Sequence, residues 1–156
     1  MSGRATGPPP LRLADHRFVH GMEKEFLELL NAQVYERTYE TGELLVREGD
    51  PAEEFLLIFH GKVALEILSA DRPRTTIQTI GAGEVLGWSW LFPPHRWRLD
   101  ARAVKTTRVL GIGAAYLRRV LDEHPAAAYR FLLRLLPVIA QRLENTQLQL
   151  LDIHGG

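Results

Sequence analysis

Cysteine is absent from this chain of 156 residues, which excludes disulfides, thiolate metal ligands and thiol nucleophiles at once. A dominant charge is lacking too. The chain carries 19 Lys and Arg against 19 Asp and Glu, so no global field draws it to nucleic acid. No apolar run approaches the ~18 residues of a membrane span, and the first dozen residues lack the apolar core of a secretory signal. A cytoplasmic protein with no membrane partner is expected. Common catalytic signatures are also missing: there is no Gly-x-Ser-x-Gly elbow and no phosphate-loop lysine. His16 and His20 lack the intervening Glu of a zinc-hydrolase helix and read as a solvated helix face. Glu53 and Glu54 point to opposite faces of a strand, which leaves no carboxylate pair for acid–base work. The sequence predicts no catalytic residue, no metal site, no resident cofactor and no enzyme.

What is present is one ordinary globular domain, with 46% hydrophobic and 24% charged residues, enough to bury a core without staples. Residues 1–13 read as a disordered Gly/Pro/Arg-rich arm. Phe18, Met22, Phe26, Leu29 and Leu30 then recur at helical spacing, predicting a short helix or helix pair over 15–33. The period changes to two from Val34. Strands are expected over 34–39, 44–47, 54–59, 62–68, 74–80, 97–104 and 107–112, separated by turns such as Glu48-Gly-Asp-Pro51 and His60-Gly61. Helical spacing returns at Ala114 and continues to the end. The expected fold class is α+β, mainly β. An antiparallel β-barrel or jelly roll of about eight strands fills 14–124, with a short inserted helix, an N-terminal helix and a long C-terminal helix over 125–154.

The segment from Gly81 to Arg98 carries most of the chemistry. Closely spaced glycines precede a predicted single helical turn, Trp88 to Phe92, which Pro93-Pro94 ends. Free amides at Ser89 and Trp90 would then offer a place for an anion. In the strand that follows, Trp97, Leu99, Ala101 and Ala103 share an apolar face, while Arg98, Asp100 and Arg102 share the other. Trp97 is therefore expected inside, with Arg96 and Arg98 outside, unless a bulge beside Pro94 shifts the register by one.

The last helix shows a second pattern. Leu132, Leu136, Ile139, Leu143, Thr146, Leu150 and Ile153 alternate spacings of four and three, an a/d seam that predicts a homodimer. The basic residues Arg118, Arg119, Arg130, Arg134 and Arg142 read as a solvated helix face.

Together the motifs Tyr39-Glu-Thr-Gly-Glu43, Glu48-Gly-Asp-Pro51, Leu57-Ile58…Gly61-Lys-Val63 and Gly81-Ala-Gly-Glu-Val-Leu-Gly87 resemble the cyclic nucleotide-binding domain. The likeness is to the sensor half of the bacterial catabolite-activator and fumarate-nitrate regulator superfamily. It implies a ligand-sensing β-structure whose cassette holds the nucleotide. In that family a Glu after the cassette glycine takes the ribose hydroxyl, and an Arg nine or ten residues later takes the cyclic phosphate. Here the glycine corresponds to Gly87 and the Glu position holds Trp88. The nine-residue spacing lands on Trp97 and the ten-residue spacing on Arg98. Loss of a charge-assisted contact to a desolvated anion costs on the order of 2–5 kcal/mol, enough to move micromolar binding towards millimolar. The candidate ligand-binding residues are Gly87, Trp88, Ser89, Trp90, Arg96, Trp97 and Arg98.

Three readings of the tryptophans stay open. They fill the vacated pocket, or line it for a flatter and less charged ligand, or join His95 and Arg96 as a docking patch. A stand-alone regulatory module with altered ligand specificity and no DNA-binding domain is expected. The alternative is a ligand-free assembly module that acts through a protein partner.

Overall fold

Period-two patterning produces eight strands between residues 34 and 113: β1 (Val34–Tyr39), β2 (Leu44–Val46), β3 (Glu54–His60), β4 (Lys62–Ser69), β5 (Arg72–Gly81), β6 (Val85–Leu86), β7 (Asp100–Ala103) and β8 (Thr107–Gly113). The computed structural model describes residues 7–69 and 72–155; the side chains of 69, 72, 149 and 152–155 lie outside that description. The strands form two antiparallel four-stranded sheets, ordered β1-β8-β3-β6 and β2-β7-β4-β5. Among the described residues no ladder joins the sheets, so the expected barrel is not closed. The edge strands β2 and β6 hold only three and two residues, too few to carry hydrogen bonds across a corner. The chain passes between sheets at Gly61, whose φ is 106° and where a Cβ would lie 2.6 Å from the Thr106 carbonyl oxygen. Only glycine makes that turn.

Two strands differ from expectation. β6 is too short to show alternation, and the strand expected over 97–104 begins at Asp100. Residues 95–97 pair with the 48–51 turn and its successor: Ala52 N donates to the His95 carbonyl at 2.7 Å and Gly49 N to that of Trp97 at 2.8 Å. Gly49 and Pro51 break the pleat there.

The helical region before β1 resolves into two 3₁₀ turns, Leu13–Asp15 and Arg17–Val19, followed by α1 (Lys24–Asn31). The arm expected to extend to Leu13 is held by structure before that point. Arg108 donates to the Pro9 carbonyl, the Leu11 amide donates to Glu36, and Leu13 is buried. Residues 1–6 of the arm lie outside the described residues. His16 is also no part of a solvated face. Its side chain is buried, with Nε2 2.9 Å from the Ile58 carbonyl and Nδ1 accepting from the Phe18 amide.

After β8 come α2 (Ala114–Glu123) and α3 (Pro125–Gly155). Pro125 opens α3 with the one residue whose missing amide costs nothing there. Phe131 and Leu135 are fully buried, and Phe131 meets Phe18, Phe55 and Trp90 at ring separations of 5.2 to 5.9 Å. That edge-to-face cluster fastens α3 to the first sheet.

Candidate functional site

Between β6 and β7 the chain makes a glycine-led turn. Gly87 stands in the left-handed region, at φ 69°. The helical turn expected over 88–92 is absent: Leu91 N donates to the Trp88 carbonyl at 2.9 Å, a three-residue reach. Pro93 and Pro94, directly after Phe92, have no amide to donate, so the turn cannot propagate.

Trp97 decides what this turn can hold. Its side chain is 5% exposed, and a Cβ built on Gly87 would fall 2.5 Å from its Cζ3. The indole therefore lies directly on the glycine where the resemblance places a ligand's phosphate. Its backbone is fixed on both sides, with Trp97 N donating to the Asp50 carbonyl at 2.9 Å. Arg96 and Arg98 are both exposed, and Arg96 Nη1 is engaged with the Gly49 carbonyl at 2.8 Å. Trp97 is inside and Arg96 and Arg98 outside, as in the unshifted register, and neither guanidinium is presented to Gly87. Asp100, expected outside with Arg98, is instead buried and accepts from the Glu48 amide at 2.8 Å.

The other candidates separate. Trp90 is fully buried and belongs to the aromatic cluster, with Nε1 donating to the Gly87 carbonyl at 3.3 Å. It is a core residue, not a pocket wall. Ser89 and Trp88 are half-buried. Trp88 is where the turn meets α3: the Arg142 guanidinium carbon lies 4.9 Å from its ring centroid, a cation–π contact. On α3, Leu132, Leu136, Leu143 and Leu150 are exposed, while Ile139 and Thr146 are half-buried. The side chain of Ile153 lies outside the described residues.

Arg142 was expected on a solvated face, and the structure overturns that. It is 5% exposed. Nε donates to the Gln78 side chain at 3.1 Å, and Nη2 is buried with no hydrogen-bond partner among the described residues. Burial pulls its pKa down to about 10, an effect that Glu84 partly offsets, so the group stays charged at neutral pH. Arg134 is likewise used, donating to the Phe18 and His20 carbonyls, and Arg118 donates to that of Trp90. The missed signal was in the helix register. Phe131, Leu135, Val138 and Arg142 recur at four, three and four, which puts an arginine on the inward stripe.

Beside Arg142 lies a cavity of about 300 Å³, bounded by Arg17, Gln78, Ile80, Glu84 and Val138 among others. Among the described residues no group of His, Asp and Glu could hold a metal ion. No helix there is long and apolar enough to cross a membrane.

The family model for the cyclic nucleotide-binding domain matches residues 36–124. A CRP-like cAMP-activated global transcriptional regulator of Mycobacterium tuberculosis is 23% identical over 141 residues, 90% of this chain and 61% of that protein. The chain thus spans about 60% of the length of such relatives. A putative cyclic nucleotide-binding protein from Geobacter metallireducens superposes with a TM-score of 0.73 at 26% identity, over 84% of this chain and 95% of that one. The regulatory subunit of a cAMP-independent protein kinase A from Trypanosoma brucei shares the fold, with a TM-score of 0.70 at 18% identity. There the match covers 88% of this chain and 48% of that one.

Proposed function

This chain belongs to the cyclic nucleotide-binding domain family, and on that footing we propose that it is a non-enzymatic cytoplasmic regulatory module whose cassette no longer grips a cyclic nucleotide. The observation that carries this reading is Trp97 lying on Gly87. A phosphate could reach the cassette amides only by displacing a buried indole, and no guanidinium waits there to repay it. Trp88 supplies no carboxylate for a ribose. The Mycobacterium relative is described as cAMP-activated and the Trypanosoma subunit as cAMP-independent, so the fold itself decides neither. Isothermal titration with cyclic AMP and cyclic GMP is expected to give no saturable binding in the micromolar range. Micromolar binding of either would overturn the reading.

Regulation would pass to α3 through Arg142, which touches Trp88 of the turn and Gln78 of β5. The exposed leucines of α3 support a homodimer through that helix. Charge balance, 19 against 19, supports no direct DNA binding by this chain, and at physiological salt it should leave duplex DNA unshifted on a gel.

The closed cassette also favours a second reading, a ligand-free assembly module whose turn is filled by its own tryptophan and which binds a protein partner. Hydrogen exchange separates the two. A small-molecule regulator changes protection in 132–150 when ligand saturates it, whereas an assembly module changes only with its partner.

A further inference from the structure

Arg142 brings a charge into the interior and leaves part of it unused. A guanidinium has five N–H donors and needs oxygen acceptors when buried. Here Nε has Gln78, the plane has the Trp88 ring, and Nη2 has no partner among the described residues. Glu84 acts on it only at a distance: among the described residues it makes neither an ion pair nor a hydrogen bond with Arg142, and its Oε2 accepts from the Gly81 amide at 2.8 Å. The same cavity carries a second cation. The Arg17 guanidinium lies over Gly83, its Cζ 3.0 Å from where a Cβ on that glycine would be. Arg17 is exposed and makes no side-chain hydrogen bond among the described residues. Arg134 also lines the cavity, but both its terminal nitrogens are taken by backbone carbonyls. Three arginines thus stand against one glutamate, around a wall of Phe18, Ile80, Val85 and Val138.

We propose that this cavity, between α3 and the Gly81–Val85 turn, binds a small organic oxyanion, a carboxylate or phosphate ester with a compact apolar body. Arg142 takes the anion from below and Arg17 from the rim. About 300 Å³ is the small end of ligand pockets, and the apolar wall takes the body while the two guanidinia take the charge. Neither Gly87 nor Trp97 lines the cavity, which meets the cassette turn only through the contact of Arg142 with Trp88. Its occupant would bridge α3 to the β-structure and bring an acceptor to the Arg142 guanidinium, whose Nη2 has none among the described residues.

Phenyl phosphate is the probe, with phenol and inorganic phosphate as its two halves. Titration should show saturable binding of phenyl phosphate, with a Kd below ~1 mM, and binding of each half at least about tenfold weaker. The Trp88 contact makes indole fluorescence a parallel readout, lost in Trp88→Phe. Arg142→Met should weaken phenyl phosphate at least about tenfold, yet melt no lower than the parent protein, because it removes a buried charge lacking a full set of partners. Arg17→Gln, on the exposed rim, should weaken binding several-fold, and it carries the test if Arg142→Met does not fold. The proposal is overturned if phenyl phosphate shows no saturable binding to the parent protein up to ~10 mM, or if both variants bind it equally well. Either result leaves the cassette reading untouched, since that stands or falls with the cyclic nucleotides.

Discussion

At the scale of single residues, Gly87 and Trp97 hold each other in place. Gly87 combines a φ of 69° with an indole 2.5 Å from any added Cβ. Gly87→Ala therefore meets both backbone strain and overpacking, expected to cost about 1–3 kcal/mol. A urea midpoint unchanged from the parent would show that the ring yields freely. His16 gives a pH prediction. Burial holds its pKa below the usual 6.5, while hydrogen bonds at Ile58 and Glu84 act in the opposite sense. With Nδ1 accepting from Phe18 N and Nε2 against the Ile58 carbonyl, the folded protein keeps this ring neutral. The unfolded chain binds the extra proton first, so stability is full above about pH 6.5 and falls as pH drops through that value towards the lower folded pKa. Denaturation midpoints between pH 8 and pH 5 should decline, and His16→Gln should flatten the decline. Neither pair of neighbours was legible in the sequence: Gly87 and Trp97 are ten positions apart, and His16 meets Ile58 only once the N-terminal turns dock.

At the scale of elements, α3 serves two surfaces. Phe131 and Leu135 are fully buried, whereas Leu136 and Leu143 are 56% and 59% exposed. Phe131→Ala empties the centre of a cluster formed with Phe18, Phe26, Phe55 and Trp90 and should cost about 3–5 kcal/mol. Leu143→Glu should leave the fold's own stability within about 0.5 kcal/mol while lowering the mass seen by light scattering from dimer to monomer. Equal thermal destabilisation by both variants would mean that the two faces are wrongly assigned. The heptad spacing predicts a seam; which residues pack on the sheets was not evident from it. Of the apolar residues off that spacing, Leu135 is buried and Val138 half-buried, whereas Leu133, Leu148 and Leu151 are exposed. Phe131, Leu135 and Arg142 do that packing, because they align with the aromatic cluster and with Gln78.

At the scale of the whole molecule, the order of elements and the inward side of Trp97 were set by the sequence alone. Alternation says which side chains share a face, and glycine and proline say where the chain turns, whatever lies opposite. Periodicity is silent on what each face meets. That Trp90 joins the core and that Arg142 is buried between Gln78 and Trp88 follow from contacts between residues far apart in the chain, Trp90 with Phe131 and Arg142 with Trp88 and Gln78, formed only when α3 lies on the sheets. That the two sheets stay open is likewise a matter of pairing. The sequence thus determined a family architecture with its usual anchors replaced. Packing alone decided that an indole covers the glycine, and that an arginine charge is left inside in want of an oxyanion.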